Sequence, residues 1–413
     1  MLTKAENERL TQVGPGTPMG ELFRRYWLPV APSAELQEDP VKQVRILGET
    51  LVLYRDRQGR LGLVGERCSH RGTMMVYGIP EPEGIRCAYH GSLYDGRGRC
   101  LQGAGGKATT GAEAEEYGIP AYPAEELGGL IFAYLGPQPA PLLPRWEQFV
   151  EENVLRSIQS VVVPCNWLQC MENALDDKHV SWLHGYFGKY MLERQGRSLE
   201  QAREMASRTF TWEPFEYGVL RSHAGATEGP KSPVIFPSCS PGGRGSMIIR
   251  VPIDDTHTWS IDYFAHRFPP AVEVPAQETV PVHYVTVPDL DPHGHPVWPD
   301  MDVAGMQDMV MWRARGTIAD RSTEVLGEGE EGIALHRQLL EENMRRVGRG
   351  EDPMGVIRDP AKNVCIRVGN DAENNKRIDR PSEPIRESTN RPDRYDPVAG
   401  QIRELVSSAV SPA

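Results

Sequence analysis

Apolar and polar residues alternate over 208–221 and again over 246–268, the period of two expected where one face of a strand is buried. Upstream, VRILGETLVL (44–53) and LGLV (61–64) read as strands joined by the turn Asp56-Arg-Gln-Gly59, and LGGLIFAYLG (127–136) reads as a further strand. The spacing changes at 331–346, where Ile333, Leu339 and Leu340 fall at helical intervals. Pro137-Gln-Pro-Ala-Pro141, followed by Pro144, is a stiff crossing that suits a linker. The pattern predicts an α+β chain in two parts: residues 1–136, an N-terminal arm and antiparallel β domain, and residues 137–370, an antiparallel sheet flanked by helices. Residues 371–413 are polar, charge-rich and proline-containing, as expected of an extension that runs over the surface or wraps a neighbour.

Length and charge narrow this picture. A chain of 413 residues exceeds what one hydrophobic core normally holds, which supports two domains. A formal net charge of -12 disfavours nucleic acid and anionic membrane, both of which reward Lys and Arg clusters, and fits docking to a partner with a basic face. The N-terminal MLTKAENERL has no apolar signal core, and no apolar run is long enough to cross a bilayer. The seven cysteines form no paired framework, so a soluble, cytoplasmic protein is expected. No glycine fingerprint for a dinucleotide opens a strand-helix unit, which puts NADH and flavin chemistry on a separate polypeptide.

Two short segments carry redox chemistry. CSH at Cys68 to His70 and CAYH at Cys87 to His90 give the spacing C-x-H-x16-C-x2-H. Each loop offers one thiolate and one imidazole, the ligand arrangement of a Rieske-type 2Fe-2S centre, with Cys68 and Cys87 on one iron and His70 and His90 on the other. Two Cys and two His also suit tetrahedral zinc, but zinc fingers usually pair Cys with Cys and His with His, whereas here each loop is mixed. Cys100, just downstream, reads as a buried thiol.

A second metal site is suggested by Asp176-x2-His179-x4-His184 in CNWLQCMENALDDKHVSWLHG. Two His and a distant carboxylate make the facial triad of non-haem Fe(II), which leaves positions open for dioxygen (O2). On an ideal helix His179 and His184 point roughly 140° apart at about 100° per residue, so the helix must kink or break for both to reach one metal. Taken alone, histidines beside an apolar stretch such as Val180, Trp182 and Leu183 are more often satisfied core or surface residues than ligands; a Rieske motif about ninety residues upstream reverses that, because a one-electron donor needs an oxygen-activating acceptor.

Together, GPGTPMGELFRRYW from Gly14 to Trp27, both metal motifs, IADRSTEVLG and DPMGVIRDP resemble the oxygenase (alpha) component of the Rieske non-haem iron aromatic oxygenases. Within that family they resemble the phthalate-dioxygenase-like branch, and most closely oxygenases of the 5,5′-dehydrodivanillate O-demethylase type. The resemblance implies a helix-grip-like catalytic domain, His179 and His184 as iron ligands, and Asp176 as the inter-subunit electron relay. It implies a homotrimer or stacked trimers, with electrons arriving from a reductase of flavin or ferredoxin type. Asp308 in MQDMVMW falls where the family's third iron ligand belongs; its competing reading is a solvated helix carboxylate, as for Asp302 or Asp320. Three departures stand out: Ser69 for the usual Pro, Ser92 for the frequent Trp, and the charged EGEEG at 328–332.

The resemblance also implies a small aromatic acid as substrate, and Arg suits recognition of a carboxylate. Arg208, Arg221 and Arg250 are candidates, equally readable as exposed strand charges, and His257 and Trp259 are candidate pocket residues that equally suit packing in the sheet. The expected reaction is O-demethylation of a methoxylated aromatic acid, with ring dihydroxylation as the alternative. A Rieske electron carrier with a passive extension is the reading from a different class.

Overall fold

The computed structural model describes residues 1–176, 178–197, 210–223, 231–242, 246–268, 271–301, 303–367 and 397–410. Arg208 therefore lies outside the described residues. The chain opens with two short helices. Thr3 and Glu6 form a reciprocal capping box on Lys4–Thr11, and Thr17 caps Pro18–Phe23, which has Pro at its first position. Their apolar face, including Leu10, Met19, Leu22 and Phe23, enters the main core, where Phe23 meets Trp167 edge-on with ring centroids 4.7 Å apart.

Three small antiparallel sheets follow. One joins Trp27–Pro32, Leu130–Tyr134 and Ala124–Leu127; the second joins Val41–Ile46, Glu49–Arg55, Leu61–Gly65 and Ala121–Tyr122. The third joins Ile79–Glu81, Gly84–Arg86, Leu93–Tyr94 and Cys100–Gln102. Two expected single strands are in fact hairpins. Residues 44–53 turn at Leu47 and Gly48, with φ of 50° and 76°, the two-residue loop that matches strand twist. Leu47 is fully buried, so an apolar side chain disguised the turn. Its N–H donates to the carbonyl of Pro252 at 3.0 Å and that of Gly48 to Ile253 at 2.8 Å, which ties this hairpin to the large sheet. Residues 127–136 likewise turn at Gly128-Gly129.

The second part is built on an eight-stranded sheet in the order Phe210–Phe215, Gly218–His223, Ser232–Ile235, Cys239–Pro241, Met247–Asp254, His257–Arg267, Val154–Val163 and Val282–Tyr284. Every pairing is antiparallel except the last. The alternation read at 246–268 sorts its two faces. Ile249, Val251, Ile261 and Tyr263 point into the main core, while a cross-strand row of Ser240, Ile248, Asp262 and Gln159 faces a cavity. Helices Ala304–Ala314 and Glu331–Gly348 flank this sheet, the latter beginning where helical spacing predicted it. The linker runs beside residues 352–366: Leu142 N–H donates to Ile357 and Ile366 N–H to Arg145, both at 2.8 Å.

Of the final segment, residues 397–410 are described. Helix Ala399–Val410 belongs to it, and Val398 and Ile402 pack with Leu155, Phe268 and Val272 of the same chain. Among the described residues no helix is long and apolar enough to cross a membrane.

Candidate metal centres

The two Cys-His loops have the same backbone plan. Cys68 N–H donates to Thr73 O at 2.9 Å and Cys87 N–H to Ser92 O at 2.8 Å; Gly72 N–H returns to Cys68 O and Gly91 N–H to Cys87 O. Both glycines have positive φ, 71° and 81°, which lets each chain reverse tightly enough to present its Cys and His on one side. The two sulfurs are buried, and the rings of His70 and His90 stand 4.8 Å apart toward solvent. Burial pushes the Cys68 thiol up, but hydrogen bonds from Tyr94 and the His70 backbone outweigh it and hold the thiol below its ordinary value. Cys100 is buried beside them, its sulfur bonded to Gln102 O.

Among the described residues, the one group of three or more His, Cys, Asp or Glu ligand atoms within 4.8 Å of each other is His179, His184 and Asp308. Each loop supplies one buried thiolate and one outward imidazole, the division of ligands that suits a two-iron cluster.

The second centre is assembled by an unusual helix. Asn166 caps Trp167–Glu172, a tight turn at Asn173–Leu175 follows, and Val180–Phe187 is π-helical. Neither a kink nor a break is needed: winding with i→i+5 bonds brings residues five apart to one face, and His179 and His184 are five apart. Their ring centroids lie 5.2 Å apart.

Each imidazole has a defined orientation. Nδ1 of His179 donates to the carbonyl of Asp176 at 2.8 Å, leaving Nε2 as the lone-pair nitrogen, with Asn173 Nδ2 3.3 Å from it. Nδ1 of His184 bonds Gln307 Oε1 at 2.9 Å, and its Nε2 faces Asp308 Oδ1 at 3.2 Å. That carboxylate oxygen is buried and receives no hydrogen bond. An orphaned anionic oxygen beside two imidazole nitrogens suits a cation, and two nitrogens with one oxygen suit Fe(II). The carboxylate of Asp176 lies 3.7 Å from His179 and accepts from Lys178 N–H at 2.7 Å. Burial pushes its pKa up, yet the bonds from His179 and Lys178 hold it below the usual carboxylate range.

His179, His184 and Asp308 open on a cavity of about 450 Å³, within the range of small-molecule sites. Arg221 and Arg250 line it. Arg250 is almost fully buried: Nη1 donates to Ser240 Oγ at 2.8 Å, the guanidinium lies 5.7 Å from the Trp312 ring, and Nε has no hydrogen-bond partner. Arg221 lies over the Phe210 ring at 4.8 Å. His257 is corrected: it sits half-exposed at the hairpin turn, Nδ1 3.1 Å from Asp254, away from the cavity. Trp259 also packs in the sheet, donating to Ser160 Oγ at 2.8 Å.

Sequence reasoning missed Gln307, Asn173 and Tyr94. The available signal for Gln307 was an amide set among Met306, Met309, Val310 and Trp312, an apolar stretch where a polar side chain needs a reason.

The model for the Rieske [2Fe-2S] domain matches residues 26–121. The chain is 38% identical to the 5,5'-dehydrodivanillate O-demethylase oxygenase subunit of Sphingobium sp. strain SYK-6 over 372 residues, 89% of this chain and 86% of the relative. It is 32% identical to the phthalate 4,5-dioxygenase oxygenase subunit of Pseudomonas putida over 402 residues, 86% of this chain and 89% of the relative. The solved structure of Pseudomonas putida CBB5 NdmA shares the fold, with a TM-score of 0.59 and 17% identity over 80% of this chain and 94% of that chain.

Proposed function

The chain belongs to the Rieske non-haem iron oxygenases as an oxygenase (alpha) subunit, and from that premise we propose that it O-demethylates a methoxylated aromatic acid, lignin-derived biaryl or vanillate-like. The observation that carries the proposal is the meeting of His179, His184 and Asp308 on the wall of a cavity that also holds the buried guanidinium of Arg250. A Rieske electron carrier requires neither the triad nor the cavity.

Cys68, His70, Cys87 and His90 would hold a 2Fe-2S cluster, which would supply single electrons, and His179, His184 and Asp308 would hold an Fe(II), which would supply dioxygen activation. The remaining work falls to the chain. Arg250 is desolvated and, among the described residues, has no carboxylate within salt-bridge range; Asp308 and Asp262 act on it only from across the cavity, which leaves room for a substrate carboxylate as its direct partner. With the acid end held there, a methoxyl carbon is directed at the triad. Phe264 and Ile248 offer the aromatic ring an apolar wall and help keep water from it. Hydroxylation of the methyl carbon gives a hemiacetal that collapses to phenol and formaldehyde, with NADH and O2 consumed and water formed. Ring dihydroxylation is the second reading, favoured by the likeness to the phthalate 4,5-dioxygenase subunit.

We assign NADH and flavin to a separate reductase and place this chain in the cytoplasm. A homotrimer, or two stacked, is the assembly we infer. His179 and Asp176 border an open groove with Trp182, Tyr186 and Val325, whose side chains are largely exposed. Tyr89, in the second cluster loop, and Tyr77 are exposed as well. Two exposed aromatic patches on one chain support contact between copies, with Asp176 between the metal centres of neighbours.

The test supplies iron-reconstituted protein with NADH, a phthalate-dioxygenase-type reductase and a panel of methoxylated aromatic acids, and scores products by mass spectrometry. Formaldehyde equimolar with substrate loss is expected. Diol without formaldehyde would move the chain to the ring-hydroxylating reading.

A further inference from the structure

Helix Ala304–Ala314 delivers two adjacent polar side chains to the triad, and one of them, Asp308, is a ligand candidate. Its neighbour Gln307 is 5% exposed, a position a primary amide tolerates only when both of its ends are bonded. Both ends are bonded here. Nε2 donates to the Met301 carbonyl at 3.0 Å, and Oε1 lies 2.9 Å from Nδ1 of His184. Because a carbonyl only accepts, Met301 fixes the NH2 group on its own side and turns the amide oxygen to the imidazole. Nδ1 of His184 then carries the hydrogen, and Nε2 is left as the lone pair facing Asp308 at 3.2 Å.

We propose that Gln307 is the positioning residue for His184, fixing both its tautomer and its ring plane so that Nε2 can serve as an iron ligand. This rests on the reading that His179, His184 and Asp308 hold iron. A neutral amide meets both demands at once, donating to Met301 and accepting from His184. Glu would set two acceptors against each other at Met301, and Leu would leave the buried Nδ1–H without an acceptor. Met301 is itself fully buried, packed with Met191 and Val310, so the orientation is anchored on a rigid support. The two imidazoles are therefore backed differently: His179 by a peptide carbonyl at 2.8 Å with the Asp176 carboxylate behind it, His184 by an uncharged amide.

The experiment compares full-length wild type, Q307L and Q307E. Anaerobic ferrous titration reads iron affinity, and the EPR spectrum of the ferrous-nitrosyl adduct reads ligand geometry. The EPR signal of the reduced cluster reports folding. Q307L is expected to bind the third iron about 10–100-fold more weakly, with a broadened nitrosyl spectrum and an unchanged cluster signal. Q307E is expected to keep iron but shift the nitrosyl spectrum, because a carboxylate behind His184 makes the imidazole a stronger donor. Unchanged affinity and spectrum in Q307L overturns the proposal. Should Q307L lose the cluster signal through misfolding, Q307E decides, and an unshifted nitrosyl spectrum there overturns it. Wild-type protein that takes up no iron beyond the cluster overturns the iron-site reading itself, a result distinct from either variant outcome.

Discussion

The Tyr94 hydroxyl lies 3.1 Å from the sulfur of Cys68 and accepts from the N–H of Ser69 at 3.2 Å. The Ser69 hydroxyl donates onward to the Tyr117 carbonyl at 2.6 Å. A proline at position 69 would have no N–H or hydroxyl for these bonds. Burial and Cys68 raise the Tyr94 phenol above its ordinary pKa, so it stays protonated and can donate to the sulfur. A donor to sulfur favours the reduced, more negative cluster. Tyr94→Phe should therefore lower the cluster's midpoint potential, on the order of 40 mV if the bond favours the reduced form by about 1 kcal/mol. An EPR-monitored redox titration checks it; an equal or higher potential in the variant would count against the bond's role.

The two centres should be separable by mutation. Asp308→Ala or His184→Ala removes one corner of the triad, to which none of the four cluster-loop residues Cys68, His70, Cys87 and His90 belongs. Iron content should fall from about three to about two per chain, with the cluster's visible spectrum intact and product formation abolished. Full iron content in both variants would show that the third iron is held elsewhere.

Several features of this architecture were legible in sequence because they depend on periodicity or spacing. The alternation at 246–268 assigned the sheet, and C-x-H-x16-C-x2-H assigned the loops. What escaped depends on backbone states that side chains conceal. Leu47 occupies a left-handed turn yet is buried like a strand residue. The π-helical stretch carries no composition mark; the spacing of His179 and His184 signalled only that an α-helix would fail. Asp308 could be placed by motif, whereas Gln307 beside it could not, because its role arises from Met301 and His184, six residues and more than a hundred residues away. Arg221 and Arg250 reach the cavity while His257 does not, although all three sit on strand-like sequence. Hairpin position decides that outcome, and alternation alone does not encode it.

Arg250 should discriminate substrates by charge. Arg250→Met keeps an apolar stem beside Trp312 and removes the guanidinium. If that group pairs with a carboxylate in the desolvated cavity, kcat/KM for an aromatic acid should drop by roughly 30- to 1,000-fold, the equivalent of about 2–4 kcal/mol. The same substrate as its methyl ester should lose little. Equal losses for acid and ester would assign Arg250 a structural role.

Acid sensitivity should originate in part at His336. The residue is 1% exposed on helix Glu331–Gly348, faces Phe236 at 5.8 Å, and its Nε2 has no hydrogen-bond partner. Burial lowers its pKa from 6.5 to about 4, against the pull of Glu172 and with the repulsion of Arg337. The folded state therefore resists protonation at a pH where the unfolded chain accepts it. Its contribution is complete above pH 6.5 and is lost as pH falls toward 4, by up to about 3 kcal/mol. Glu172, bonded to Arg321 and Arg337 and held below its ordinary 4.5, adds a loss only below that value, so between 6.5 and 4.5 its ion pairs stay intact while His336 contributes. Urea unfolding at pH 7.5, 6.0 and 5.0 should show a decline in wild type that is flattened in His336→Leu, whatever the variant's absolute stability. Parallel declines in the two proteins would place the acid-sensitive group elsewhere.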